Sequence, residues 1–158
     1  MTKMRLMLTG IMTLTLAACG GIDEVVENQC PEIDVLATAD VWQHQQNTAH
    51  MQSARLVCFI DANTDELSAD INLSGTVSKA GIDLSFFVAT LDKNDIVTNR
   101  LQYKVKASDT SFSLNLPRFN YATRATLINK PRLVTGFVLS EAQLAANRAA
   151  YKKRLGID

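Results

Sequence analysis

Three cysteines, Cys19, Cys30 and Cys58, and two histidines, His44 and His50, are the rarest reactive side chains of this 158-residue chain. A thiol can be acylated or oxidised, or can bind a metal, and spacing separates these fates. A bridge between Cys30 and Cys58 would close a loop of ~28 residues, worth about 3–4 kcal/mol of chain entropy. The alternatives are two buried thiols or half of a zinc site. Zinc wants four ligands, commonly as CxxC pairs or paired histidines, and neither pattern stands near these cysteines. His44 and His50 lie in QHQQNTAH, a polar stretch read as a loop from His44 to Ser53. Six apart, they do not share a helical face as residues four apart would. Strand alternation would place them on one side, without an evident third ligand. Trp42 beside them is expected in the core. The densest acidic run, Asp61-Ala-Asn-Thr-Asp-Glu66, lacks the layout of a calcium loop and is expected to be a hairpin turn. No GxSxG or glycine-rich phosphate cradle occurs. No catalytic residue, metal or cofactor is therefore expected.

Cys19 has a different context. Lys3 and Arg5 open the chain, and thirteen uncharged residues follow, Leu6 to Ala18. A spanning helix needs roughly 20 apolar residues, so this run suits the apolar core of a secretory signal. Leu16-Ala17-Ala18-Cys19 resembles the lipobox of bacterial lipoproteins. That resemblance implies cleavage after Ala18, a diacylglycerol thioether on Cys19 and acylation of the new amine, palmitate being one such acyl group. One acyl chain holds a protein marginally to a bilayer and two or more hold it firmly. Gly20, where inner-membrane retention calls for Asp, implies the outer membrane and its periplasmic face. The expected organisation is a signal at 1–18, a lipidated tether at 19–29 and one domain at 30–158. In that oxidising compartment Cys30 and Cys58 form an even pair, and a disulfide is expected.

Lys3 and Arg5 leave with the signal, so 14 of the 16 basic residues face 16 acids, a formal charge of −2. Nothing in that balance attracts nucleic acid. The distribution is uneven. Thirteen acids stand between Gly20 and Asn99 against Arg55, Lys79 and Lys93, and eleven bases stand between Arg100 and Arg154 against Asp109 and Glu141. Either the second half carries a basic surface, or the two halves interleave in one sheet structure and neutralise each other. The second is the simpler expectation.

The elements that must position these residues are mainly strands. From Leu67 to Val77 apolar or small residues alternate strictly with polar ones, the period of a strand with one wet face. Ile82 to Leu91 alternates on one face and is partly apolar on the other, as a central strand covered on both sides would be. Ile96–Val105, Phe112–Leu116, Leu133–Leu139, Arg55–Ile60 and Ile33–Ala37 read as further strands, with turns at Ser78–Gly81, Asp92–Asp95 and Ser108–Asp109. About seven short strands predict an antiparallel β-sandwich of immunoglobulin-like character. One helix is expected at the end, in SEAQLAANRAAYKKRLG. Ser140 and Gln143 make a capping box, cations fill the last turn and Gly156 ends it. Its thin stripe is Leu144, Ala145, Arg148, Tyr151 and Leu155.

Cys30-Pro31 with VLATA at 35–39, ARLVCFID at 54–61, FFVATLD at 86–92 and GFVLSEAQLAANR at 136–148 together resemble a family of alphaproteobacterial lipoproteins to which no activity is attached. The resemblance implies a lipid-anchored β-sandwich in the cell envelope. The chain departs from it at Ala145-Ala146 and across His44 to Ser53.

The resulting expectation is a non-catalytic envelope protein. It is held to the bilayer by its lipid and binds another envelope protein through the basic helix residues Arg148, Lys152, Lys153 and Arg154 or through an exposed sheet edge. The alternative is a module for a glycan or an anionic lipid that uses the basic C-terminal half. A hydrolase with an unrecognised site is the third option.

Overall fold

Strand β6 (Asp83–Leu91) is the element around which the others are arranged. Leu84, Phe86 and Val88 point into the sandwich and are buried, while Phe87, Ala89 and Leu91 are buried on the opposite face. A strand apolar on both faces must be central and covered twice. The structure, a computed structural model, describes residues 24–25, 30–129 and 131–157. In it β6 lies between β7 (Val97–Lys106) and β9 (Arg132–Phe137), and β9 in turn pairs in parallel with β2 (Ile33–Val35). The second sheet runs β1 (Glu24–Val25), β4 (Asn47–Ile60), β5 (Glu66–Val77), β8 (Ser111–Thr123), with β3 (Val41–His44) also on β4. The protein is a mainly β, two-sheet sandwich with one C-terminal helix, as its alternation predicts. Among the described residues it has nine strands, more than the seven expected.

The sandwich interior is filled from both sheets. Leu67, Ala69, Ile71, Leu73 and Val77 of β5 are all buried, the inward row read from the sequence. Phe86 of one sheet meets Phe112 of the other at a ring separation of 5.7 Å and Phe137 at 5.2 Å, both tilted. Trp42 is half-buried against this core, its ring 6.0 Å from that of His44. Cys30, just before β2, is bonded to Cys58 of β4, with Cα atoms 5.4 Å apart, so the expected disulfide joins one sheet to the other.

Three segments depart from the sequence reading. The stretch His44 to Ser53 is not a loop: β3 and β4 form a hairpin, His44 opposite Asn47 and Val41 opposite His50. Its two-residue turn is Gln45-Gln46, and Gln45 takes φ 54° where glycine or asparagine is usual. Strand β8 does not stop at Pro117. It continues to Thr123, with one extra residue set against the step from Ala69 to Ile71. Proline is tolerated there because β8 is an edge and a bulge absorbs the missing donor. Finally, Glu24–Val25, inside the expected tether, pairs with Phe59 and Ile60 of β4. Residues 1–18 and Cys19 lie outside the described residues.

The registers give the sandwich two ends. Strand β1, the Asp61–Asp65 turn, the Asp92–Asp95 turn and the start of β9 share one end, the lower end. The Gln45-Gln46 turn and the start of the helix α1 (Glu141–Arg154) share the upper end. At the lower end Asp92 accepts hydrogen bonds from the backbone of Ile96 and Asn94 at 2.9 and 2.8 Å, which hold its carboxyl below the usual range.

Replacing Cys30 and Cys58 together by Ser should lower stability in urea by about 3–4 kcal/mol, from the loop of 28 residues that is released. Burial in the core pushes the Tyr121 phenol up to about 12 from 10.0, and Tyr103 shifts the same way. Both phenols are stabilised in their neutral form by folding. For Tyr121 that stability is complete below pH 10 and lost as pH rises toward 12. Thermal melts from pH 9 to 12 should therefore fall steeply above pH 10, and Tyr121→Phe should flatten the fall.

Candidate binding groove on the outer sheet face

The two outer faces of the sandwich differ in chemistry. On the β4–β5–β8 sheet, polar side chains satisfy one another. Asn72 donates to Asn115 at 2.8 Å, Ser53 and Ser74 share a 2.7 Å bond, and Arg118 pairs with Asp70 at 3.0 Å while lying 4.0 Å from the Phe59 ring. On the β2–β9–β6–β7 sheet the outer face is apolar, formed by Phe87, Ala89, Leu91 and Val134. It needs a cover.

The cover has two parts. The segment between β2 and β3 crosses the sheet, and Ala39 packs flat on it. Gly136 makes this approach possible: a Cβ there would lie 2.6 Å from the Ala39 Cβ and 3.0 Å from the Ala39 carbonyl oxygen. The Phe137 N–H donates to that carbonyl at 2.8 Å. The second part is α1. Its N-terminus carries the predicted capping box, Gln143 N–H to Ser140 Oγ at 3.3 Å and Ser140 N–H to Gln143 Oε1 at 2.9 Å. Polar bonds hold the helix along the edge of the sandwich. Gln143 donates to the Gln43 carbonyl, and Asn147 donates to Val41 and Thr38 at 2.7 and 3.1 Å. Arg154 reaches the Ala37 carbonyl at 3.4 Å. No residue of α1 is fully buried. The helix stands beside the apolar face without filling it.

A groove of about 320 Å³ remains between α1 and the sheet. Phe87, Ala89 and Leu91 form its floor along β6, and Val134 continues it on β9. Leu144 and Arg148 form the helix wall, and Val97 and Arg100 the far wall on β7. The Arg100 guanidinium is 4.8 Å from the Phe87 ring centre, a cation–π contact that fixes it over the floor. The lining holds two guanidiniums and no carboxylate. Among the described residues, neither Arg100 nor Arg148 has an ion pair. Three other arginines of the C-terminal half are neutralised by the first half, Arg118 by Asp70, Arg124 by Asp65, and Arg132 by Asp34 and Asp95, whereas Lys104, Lys106, Lys152, Lys153 and Arg154 make no ion pair among the described residues.

Of the four helix residues expected at a contact, only Arg148 lines the groove. Lys152 and Lys153 stand exposed in the last turn, and Arg154 lies 5.5 Å over the Tyr151 ring. His44 and His50 are exposed on opposite strands of the hairpin, and no three of His, Cys, Asp and Glu group as metal ligands among the described residues. Asp61 closes its hairpin by accepting from Asn63 N–H at 2.7 Å. No described helix is long and apolar enough to cross a membrane. No family model, no curated protein and no solved structure matches this chain.

Gly136→Val should push the Ala39 segment off the sheet and close or distort the groove. The expected result is a clear fall in melting temperature together with faster amide exchange at Ala39 and Phe137; an unchanged melt would show that the segment does not pack there.

Proposed function

We propose that this chain is a non-catalytic binding domain of the cell envelope, anchored in the outer membrane through lipid on Cys19 and facing the periplasm. Its binding surface is the groove on the outer face of the β2–β9–β6–β7 sheet. The observation that carries the binding role is an open apolar groove whose charged lining residues are two arginines, neither in an ion pair among the described residues. Guanidinium groups donate hydrogen bonds and accept none, so they suit recognition of an anion and not proton abstraction. The Cys30–Cys58 disulfide agrees with an oxidising compartment.

The groove favours an anionic, partly apolar ligand over a protein docked on the basic end of the helix. Arg148 faces the groove, whereas Arg154 is engaged by Ala37 and Tyr151. The anchor adds an orientation. Five Cα-to-Cα steps lead from Cys19 to Glu24 and span at most ~18 Å when extended. The lower end of the sandwich, where Leu91 and Val97 line the groove, is thereby the end held toward the bilayer.

A Cys19→Ala variant tests the anchor. Fractionation should move the protein from the outer membrane to the soluble periplasm, with loss of the mass of the lipid. Retention of the variant in the outer membrane would contradict lipid anchoring.

A further inference from the structure

We infer that the groove takes a single-chain amphiphile ending in a phosphate, its acyl chain along β6 and its head group between Arg100 and Arg148. The inference rests on the binding role proposed above and adds the ligand's chemistry.

Four observations lead to this class. The floor offers no hydrogen bonds. Strand β6 is paired on both sides, to β7 and β9, so its backbone groups are committed to the sheet. A bound peptide would leave its own backbone groups unsatisfied against Phe87, Ala89 and Leu91, whereas an acyl chain asks for nothing there. The dimensions suit one chain. From Phe87 to Leu91 the floor runs four residues, ~13 Å at the rise of a strand. A volume of about 320 Å³ sits at the small end of ligand sites, which run roughly 300–1,000 Å³. The charge is matched to a dianion. Two guanidiniums face the groove with no carboxylate in the lining, and a phosphate monoester carries nearly two negative charges at neutral pH. A planar guanidinium binds phosphate oxygens bidentately, and Arg100 is already positioned by its stacking on Phe87. Finally, the lining residue nearest the lower end on β7, Val97, is 54% exposed, and the neighbouring Ile96 59%. A chain can enter there lengthwise.

The test uses the full chain carrying Cys19→Ala, so that no acyl group of its own competes, and dodecyl phosphate as probe in calorimetry below its micelle concentration. One molecule should bind per chain. Dodecanoate, with one negative charge, should bind several-fold more weakly, and dodecanol and inorganic phosphate should not bind measurably. Arg100→Gln and Arg148→Gln, both at exposed positions, should each weaken dodecyl phosphate binding roughly tenfold or more while leaving the melting temperature unchanged. Ala89→Phe should abolish binding by filling the floor, with its melt and circular dichroism confirming a folded protein. Equal binding of dodecanol, binding of inorganic phosphate alone, or unaltered binding by both arginine variants would overturn the inference. So would binding only to phosphatidylglycerol vesicles and not to the monomeric probe. Fractionation of the Cys19→Ala variant reads the anchor separately, so a failed titration with normal release from the membrane refutes the ligand and leaves the anchored domain standing.

Discussion

A strand that is apolar on both faces has to be covered twice, and this requirement organises the whole protein. Strand β6 buries Leu84, Phe86 and Val88 against the opposing sheet and Phe87, Ala89 and Leu91 on the other side. The inner face is satisfied completely, because a second sheet brings Phe112, Phe119, Ile71 and Leu73 to meet it. The outer face is satisfied only in part. Ala39 covers one end of it, made possible by Gly136, and α1 lies along its border on side-chain hydrogen bonds instead of apolar packing. The helix sequence explains the gap. The segment EAQLAAN, short and alanine-rich, offers Leu144 and little else toward the sheet, so a groove is left where a bulkier helix would have closed it.

Charge follows the same geometry. The acidic first half and basic second half of the chain are interleaved strand by strand, and Asp70–Arg118, Asp65–Arg124 and Asp34–Arg132–Asp95 bring them together. These pairs are at the surface and contribute little to stability. They matter for what they leave over. Arg100 and Arg148 come from different elements, far apart in sequence, and both line the groove on the outer face of β6, whose lining holds no carboxylate.

Much of the fold was legible in the chain. The alternation of Leu67–Val77 and the two-faced apolar run of Ile82–Leu91 named β5 and the central β6, and Ser140 with Gln143 named the start of the helix. The β3–β4 hairpin was not legible, because Gln45-Gln46 carries none of the turn chemistry that marks a hairpin and Gln45 pays the cost of a positive φ itself. Strand β8 beyond Pro117 was hidden by a residue that usually ends strands, since only its edge position makes proline tolerable. Of the groove, Arg148 was visible on the helix stripe. Arg100 was not: in an alternating strand it reads as one more polar residue, and only the register Arg100 opposite Ala89 sets it beside the apolar floor. The parallel pairing of β2 with β9 links segments a hundred residues apart, and no local pattern announces it.

The measurement that tests the account most directly is a methyl NMR titration of the isotope-labelled Cys19→Ala chain with dodecyl phosphate. The methyl signals of Ala89, Leu91, Val97, Val134 and Leu144 should move together and saturate at one equivalent, while Val57 on the opposite outer face stays fixed. Shifts centred on Val57, or small shifts spread over the whole protein with no saturation, would show that the outer face of β6 is not where this domain binds.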